Sequence, residues 1–157
     1  MPKITPFLWF DDSAEEAAQF YASVFKNSRV EQITRYSEAG PGPAGSAMTV
    51  EFALDGQKFT AINGGPAFRF TEAVSFVVHC ETQSEIDEYW DKLTADGGKP
   101  VQCGWLKDKY GLCWQIVPTA LLRLIEPDDS ARVARVMREM FTMVKLDIAR
   151  LEAAAKG

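Results

Sequence analysis

The chain repeats one pattern of residues at a constant separation of 69 positions. Two short apolar segments, residues 7–10 and 76–80, each precede a capping-box helix start, at residues 13–16 and 82–85. The apolar residues beyond each box also correspond, with Phe20 matching Tyr89 and Val24 matching Leu93. Because a strand, a cap and an apolar stripe recur in register, the sequence predicts two similar units joined by a link at about residues 64–72.

Each unit is predicted to be of the β-α-β-β-β type, which makes the fold class α+β. The first unit spans about residues 3–65, and Asp55-Gly56 between its last two strands is a hairpin turn signal. The second unit spans about residues 73–118. Its predicted elements are a strand over 74–80, a helix over 84–96, and strands over 100–106 and 112–117.

Residues 129–155 predict one long C-terminal helix, because apolar side chains recur there at helical spacing over about six turns. Two roles stay open for this helix: packing on the core of its own chain, or contact with a second subunit. The whole chain, residues 1–157, is predicted to form a single domain.

The composition argues against two classes of binding partner, nucleic acids and membranes. Lys and Arg number 17 against 22 Asp and Glu, and the net charge of −5 argues against binding nucleic acid or an anionic membrane. No apolar run approaches the roughly 20 residues that span a bilayer. An odd number of cysteines and a start without signal-peptide features predict a cytoplasmic protein with free thiols.

Two such units in tandem resemble the vicinal oxygen chelate superfamily, which includes glyoxalases, extradiol dioxygenases and bleomycin-binding resistance proteins. The segments that carry the resemblance are residues 4–10, 15–25, 103–118 and 135–151, and Gly104-Trp105-Leu106, Tyr110-Gly111 and residues 114–118 are the most specific. More narrowly, the chain resembles the PhnB-like branch, often labelled demethylubiquinone methyltransferase. The resemblance implies two sheets joined into a curved cup around a ligand cleft, and a homodimer.

The metal positions of the superfamily's enzymes carry over to Thr5 or Pro6, Thr60 or a near neighbour, Val74 or Ser75, and Gln115. At Gln115 the metal-binding relatives usually have a glutamate. One neutral side chain cannot hold a metal, since affinity needs several converging imidazoles or carboxylates. The single histidine, His79, lies late on its strand. We therefore expect no metal and no cofactor.

The residues predicted to bind a small organic ligand are aromatic or polar and lie on the first and last strands of each unit. They are Thr5, Phe7, Trp9, Thr60, Asn63, Ser75, Trp105, Trp114 and Gln115. Strand alternation should direct Phe7 and Trp9 to one face and Leu8 and Phe10 to the other. Simple core packing of these aromatics is the alternative.

The sequence does not identify a reaction, so whether the chain is an enzyme stays open. The first hypothesis is a homodimeric, metal-free protein that binds a small molecule. The second is a small-molecule enzyme of the glyoxalase, dioxygenase or methyltransferase type, although Gly64-Gly65-Pro66 precedes no helix start of the kind a Rossmann methyltransferase needs. The third is a non-catalytic assembly protein.

Overall fold

The computed structural model describes residues 2–157, and the chain divides into two compact units, the first ending at Phe70 and the second beginning at Thr71. This boundary lies inside the predicted link. Each unit contains a four-stranded mixed sheet and follows the β-α-β-β-β order, so the predicted α+β fold class is confirmed. Among the described residues, no helix is both long and apolar enough to cross a membrane.

Unit one contains five elements in chain order: β1 (Phe7–Phe10), α1 (Ala14–Val24), β2 (Arg29–Arg35), β3 (Ala47–Leu54) and β4 (Gln57–Asn63). The strand order in sheet one is β1-β4-β3-β2, with β1 parallel to β4 and the other pairs antiparallel. Asp55 and Gly56 join β3 to β4 with positive φ angles of 46° and 83°, which confirms the predicted hairpin turn.

The core of unit one forms where α1 packs on sheet one. Alanines at positions 14, 17 and 18 are fully buried on α1, and their small side chains allow a close approach to the sheet. Tyr21 stacks on Phe52, with ring centroids 6.3 Å apart, and Phe52 stacks on Phe59 at 5.2 Å. Aromatic burial of this kind is the main source of stability in a core of this size.

The start of α1 differs from its sequence prediction. Ser13 is the residue before the helix, but its side chain makes no capping hydrogen bond, and its ψ angle is 21° instead of extended. The Ala14 N–H instead donates to the Asn63 Oδ1 at 2.8 Å. The second predicted cap does form, because the Thr82 side chain accepts from the Glu85 N–H.

Unit two begins with β5 (Ser75–Cys80) and α2 (Gln83–Thr94), followed by β6 (Lys99–Pro100), β7 (Trp105–Lys107) and β8 (Cys113–Pro118). The strand order in sheet two is β5-β8-β7-β6. The predicted strand over residues 100–106 is wrong, because it is two short strands. Cys103 and Gly104 separate them with φ angles of 57° and 85°, and two consecutive left-handed residues break the extended backbone of a strand.

The single predicted helix over residues 129–155 is also wrong. The C-terminal extension, residues 119–157, contains α3 (Thr119–Leu124), α4 (Ser130–Met140) and α5 (Ile148–Lys156). Between α4 and α5, the carbonyls of Met143 and Val144 accept from the Cys103 and Gly104 N–H groups, at 2.9 and 2.8 Å. At this point the chain bonds to the segment between β6 and β7 and does not continue the helical hydrogen-bond pattern, so α4 and α5 are separate helices.

The C-terminal extension packs on unit two through an apolar cluster of Val117, Leu121, Val136, Met143, Leu146 and Leu151. Val136 and Leu151 are fully buried, and both occupy the predicted apolar stripe. Packing on the chain's own core, one of the two roles left open for this segment, is therefore confirmed.

Candidate functional site

Strand register decides which predicted residues of unit one share a face of the sheet. Phe7 lies directly opposite Thr60, and Trp9 lies opposite Ile62, so Phe7, Trp9 and Thr60 share one face of sheet one. We call it face one. Phe7 is 59% exposed there, whereas Leu8, on the opposite face, is buried. The predicted alternation along β1 is therefore confirmed.

Trp9 is held in place by the segment that follows β4. Its Nε1 donates to the Gly65 carbonyl at 2.9 Å, and its ring meets the Phe68 ring edge-on at 4.9 Å between centroids. A Cβ at Gly64 would collide with the indole ring, so this position requires glycine. The indole is thus a fixed, partly covered part of face one.

Two predicted residues of unit one do not join this face. Asn63 lies opposite Phe10 in the register and faces the helix side. Its amide caps α1 through Ala14, and its Nδ2 donates to the Ala47 carbonyl at 3.1 Å. Thr5 is exposed and precedes β1, so no strand register fixes its direction.

In unit two, the register brings three predicted residues together. Gln115 lies between Val77 on β5 and Trp105 on β7, directly opposite each of them. The Gln115 Nε2 donates to the Ser75 Oγ at 2.9 Å, so Ser75 shares this face as well. We call it face two, and define it by Ser75, Val77, Trp105 and Gln115. Its side chains are half-buried or, like Val77, exposed.

The fourth predicted residue of unit two, Trp114, does not belong to face two. It lies opposite Leu106 on the other face of sheet two, where both side chains are buried. Its Nε1 donates to the Asp108 Oδ2 at 2.9 Å. Neighbouring strand residues point to opposite faces, so Trp114 faces away from Gln115 and the other residues of face two.

Asp108, which the sequence predictions did not include, anchors the turn between β7 and β8. Its Oδ1 accepts from the N–H groups of Tyr110 and Leu112, at 2.9 and 3.1 Å, while Oδ2 accepts from Trp114. A carboxylate that is 3% exposed needs such bonds to offset its desolvation. A single acidic residue six positions before a buried tryptophan is too weak a sequence signal to reveal this.

An ion pair lies beside face two. Lys107 pairs with Glu72, and this contact raises the pKa of the lysine and lowers the pKa of the glutamate. Cys113 lies between Lys107 and Ser75 in the register. Burial, followed by the nearby Glu72 carboxylate, raises the pKa of the Cys113 thiol. The lysine charge is thus balanced, and the thiol stays protonated at neutral pH.

The donor set at the superfamily's metal positions does not fit a divalent metal. Thr5, Thr60, Ser75 and Gln115 offer hydroxyl and amide groups, and the alternative register positions are Pro6 and Val74. Gln115 already donates to Ser75. Within residues 2–157, no three His, Cys, Asp or Glu side chains form a group that could hold a metal ion. Neutral oxygens without carboxylates or imidazoles bind such ions weakly.

Known structures resemble this chain over three quarters or more of its length. The PhnB protein from Bacillus cereus is 42% identical, covers 75% of this chain and all of its own, and has a TM-score of 0.70. PA1353 from Pseudomonas aeruginosa is 18% identical, covering 75% of this chain and 98% of its own, with a TM-score of 0.61. The fosfomycin resistance protein FosX from Listeria monocytogenes is 12% identical, covering 80% and 97%, with a TM-score of 0.59. The last two show a shared fold.

No curated protein matches the chain. A sequence model described as 3-demethylubiquinone-9 3-methyltransferase matches residues 2–117, which include both four-stranded sheets up to Val117 in β8. The C-terminal extension lies outside this match, although residues 135–151 within it also carry part of the resemblance seen in the sequence. The chain therefore belongs to the PhnB-like family described as 3-demethylubiquinone-9 3-methyltransferase, within the vicinal oxygen chelate superfamily.

Proposed function

We propose that this chain is a cytoplasmic, homodimeric protein that binds a small organic molecule through face two without a bound metal ion. The observation that carries the proposal is the hydrogen bond between Gln115 and Ser75. Two positions that would supply metal ligands in the superfamily's enzymes here bond to each other. They lie beside an indole ring, which suits recognition of a neutral flat molecule.

Face one is proposed as a separate ligand-contact surface within unit one. Phe7 presents an exposed ring, Trp9 is fixed by its bond to Gly65, and Thr60 adds a hydroxyl. Fixed aromatic side chains lose little conformational entropy when a ligand binds, which favours affinity. We leave Trp114 and Asn63 out of the proposed site because their polar atoms serve the fold.

A thermal-shift screen of small aromatic compounds in the presence of EDTA tests this proposal. A ligand at ten times its dissociation constant should raise the melting temperature by about 3–6 °C. Trp105→Ala should abolish the shift. Phe141→Ala is the matched control, because Phe141 is an exposed aromatic of the C-terminal extension, 61% accessible, and outside both faces. Equal loss in both variants, or shifts that vanish with EDTA, would contradict the proposal.

Methyl transfer is the second candidate function, favoured by the description of the matching family. A Rossmann-type enzyme binds its cofactor at a glycine-rich turn between a strand and a helix. Here Gly64 and Gly65 follow β4, but the next regular element is β5. Calorimetric titration with S-adenosylmethionine distinguishes the candidates. Stoichiometric binding would place methyl transfer first, and we expect none.

The dimer is proposed from the superfamily resemblance and is measured by light scattering at several concentrations. Shortening the chain to end at Pro118 separates assembly from folding. Because Val117 packs against the C-terminal extension, we expect the shortened chain to be insoluble. A soluble, folded monomer would instead assign the extension to a subunit interface.

A further inference from the structure

The polar groups of face two can recognise more than an apolar ring. A glutamine amide offers two N–H donors and a carbonyl acceptor, and a serine hydroxyl offers one donor and two lone pairs. The bond from Gln115 Nε2 to Ser75 Oγ uses one donor and one lone pair. What remains is the carbonyl Oε1, a second amide N–H and the serine O–H.

This inventory does not depend on which way the Gln115 amide is turned. If the amide is rotated by half a turn, the Ser75 hydroxyl donates to the Gln115 carbonyl instead. Both amide N–H bonds and both serine lone pairs are then left over. In both arrangements, face two presents at least one donor and one acceptor side by side.

The charges beside face two do not favour an anion. The Lys107 ammonium is paired with Glu72, and the Cys113 thiol next to Ser75 is buried. A carboxylate ligand could accept from the second amide N–H and the serine O–H, but it has no donor for the Gln115 carbonyl, and the Lys107 cation that could balance its charge is already paired. Leaving such groups unpaired is costly.

The apolar groups of face two flank the amide on both sides. Trp105 and Val77 lie directly opposite Gln115 on the two neighbouring strands, and Val77 is 44% exposed. A flat ring can therefore contact the side chains of Trp105 and Val77. Its polar edge then meets Gln115 and Ser75.

We infer that face two recognises a neutral secondary amide carried on a flat ring, that is, a lactam or a cyclic imide. In such a ring the N–H donor and the carbonyl acceptor are adjacent and fixed on one edge, which matches the donor and acceptor of the protein. A phenol carries its donor and its acceptor on one oxygen atom, whereas a lactam presents them on neighbouring groups, as the protein does. The inference rests on the proposed function, because it names the ligand class of the same face.

The test compares 2-quinolone with 1-methyl-2-quinolone by calorimetric titration in the presence of EDTA. The two probes share the ring and the carbonyl, but the methyl group removes the donor. We expect 2-quinolone to bind about tenfold more tightly, or better. Gln115→Leu should weaken 2-quinolone about tenfold and make the two probes equal. Gln57→Leu is the matched control, because the Gln57 amide contacts the carbonyl of its neighbour Lys58 in unit one.

Each outcome separates this inference from the proposed function. Equal affinity of both probes for the unaltered protein would overturn the inference but leave small-molecule binding on face two intact. The same holds if other aromatic compounds bind and are lost in Trp105→Ala while 2-quinolone does not bind. If no aromatic compound binds at all, both fail.

Discussion

Gln83, the first residue of α2, connects this helix to Leu146 and to Ile148, where α5 begins. Its Nε2 donates to the Leu146 carbonyl at 3.0 Å, and its Oε1 accepts from the Ile148 N–H at 2.8 Å. One side-chain amide therefore bonds to two backbone groups more than 60 residues away. Gln83→Ala removes both bonds at once, together with the longer bond from Nε2 to the Asp87 Oδ1 at 3.2 Å, and leaves a carbonyl and an N–H without these partners.

The size of the effect follows from the two bonds. Each contributes about 1 kcal/mol net, and both are partly buried, so the free energy of unfolding should fall by about 2 kcal/mol. For a chain of this length, that corresponds to a fall of about 4–8 °C in melting temperature. Leu146 is 1% exposed and keeps its apolar contacts, so the C-terminal extension should stay packed on unit two but open locally more often.

Urea unfolding followed by circular dichroism measures the change, and Gln57→Ala provides the control. The Gln57 amide contacts only a neighbouring carbonyl, so the control should stay within about 0.5 kcal/mol of the unaltered protein. Hydrogen exchange should also speed up at the Ile148, Cys103 and Gly104 amides in Gln83→Ala. If both variants unfold alike and exchange is unchanged, the Gln83 bonds do not stabilise the packing of the C-terminal extension.

Three further predictions concern single side chains. The partly exposed Cys103 should react with Ellman's reagent at pH 8 at least about 100 times faster than Cys80, because burial raises the pKa of the Cys80 thiol to about 12; similar rates would contradict this. Asn63→Ala should cost about 1–2 kcal/mol in urea unfolding, since α1 loses its capping acceptor; an unchanged midpoint would rule out that role. Hydrogen bonds, first from Lys145, lower the pKa of Asp87, so this carboxylate stabilises the fold above its unfolded pKa and the effect disappears as the pH falls through the folded value. Asp87→Asn should therefore destabilise the protein at pH 7 and do so progressively less as the pH falls below the ordinary value of 3.8, and destabilisation that does not diminish would refute the assignment.

Much of unit one could be predicted from the sequence because its signals are local. The alternation in β3 and the Asp55-Gly56 turn each define an element without help from the rest of the chain. The cap of α1 could not be predicted, because Asn63, which supplies it, is 49 residues away from Ala14. A long-range bond of this kind leaves no trace in the residues around the helix start.

The C-terminal extension shows where periodicity misleads. Val144 continues the apolar spacing of α4, yet its carbonyl bonds to the Gly104 N–H and the chain leaves the helix. The same contact explains why the predicted strand over 100–106 divides at Cys103 and Gly104. Each prediction followed a sound local rule, and both failed because the two segments bind each other.

The facing of the predicted ligand-binding residues follows from a local rule, whereas a charged contact near them does not. Strand alternation places Ser75, Trp105 and Gln115 on one face once the register is known, and it excludes Trp114, as adjacency to Gln115 already indicated. The Lys107–Glu72 ion pair could not be predicted, because a lysine and a glutamate in separate segments form no recognisable sequence pattern.

The metal content of the purified protein tests most directly the claim that it binds its ligand without a metal. The protein would be produced with manganese, iron, cobalt, nickel and zinc added to the medium, dialysed, and measured by plasma mass spectrometry. Because the donor set at the superfamily's metal positions consists of neutral hydroxyl and amide groups, the account predicts less than about 0.1 metal ion per chain. Near-stoichiometric metal that survives dialysis would contradict it and favour metal-dependent chemistry of the glyoxalase or dioxygenase type.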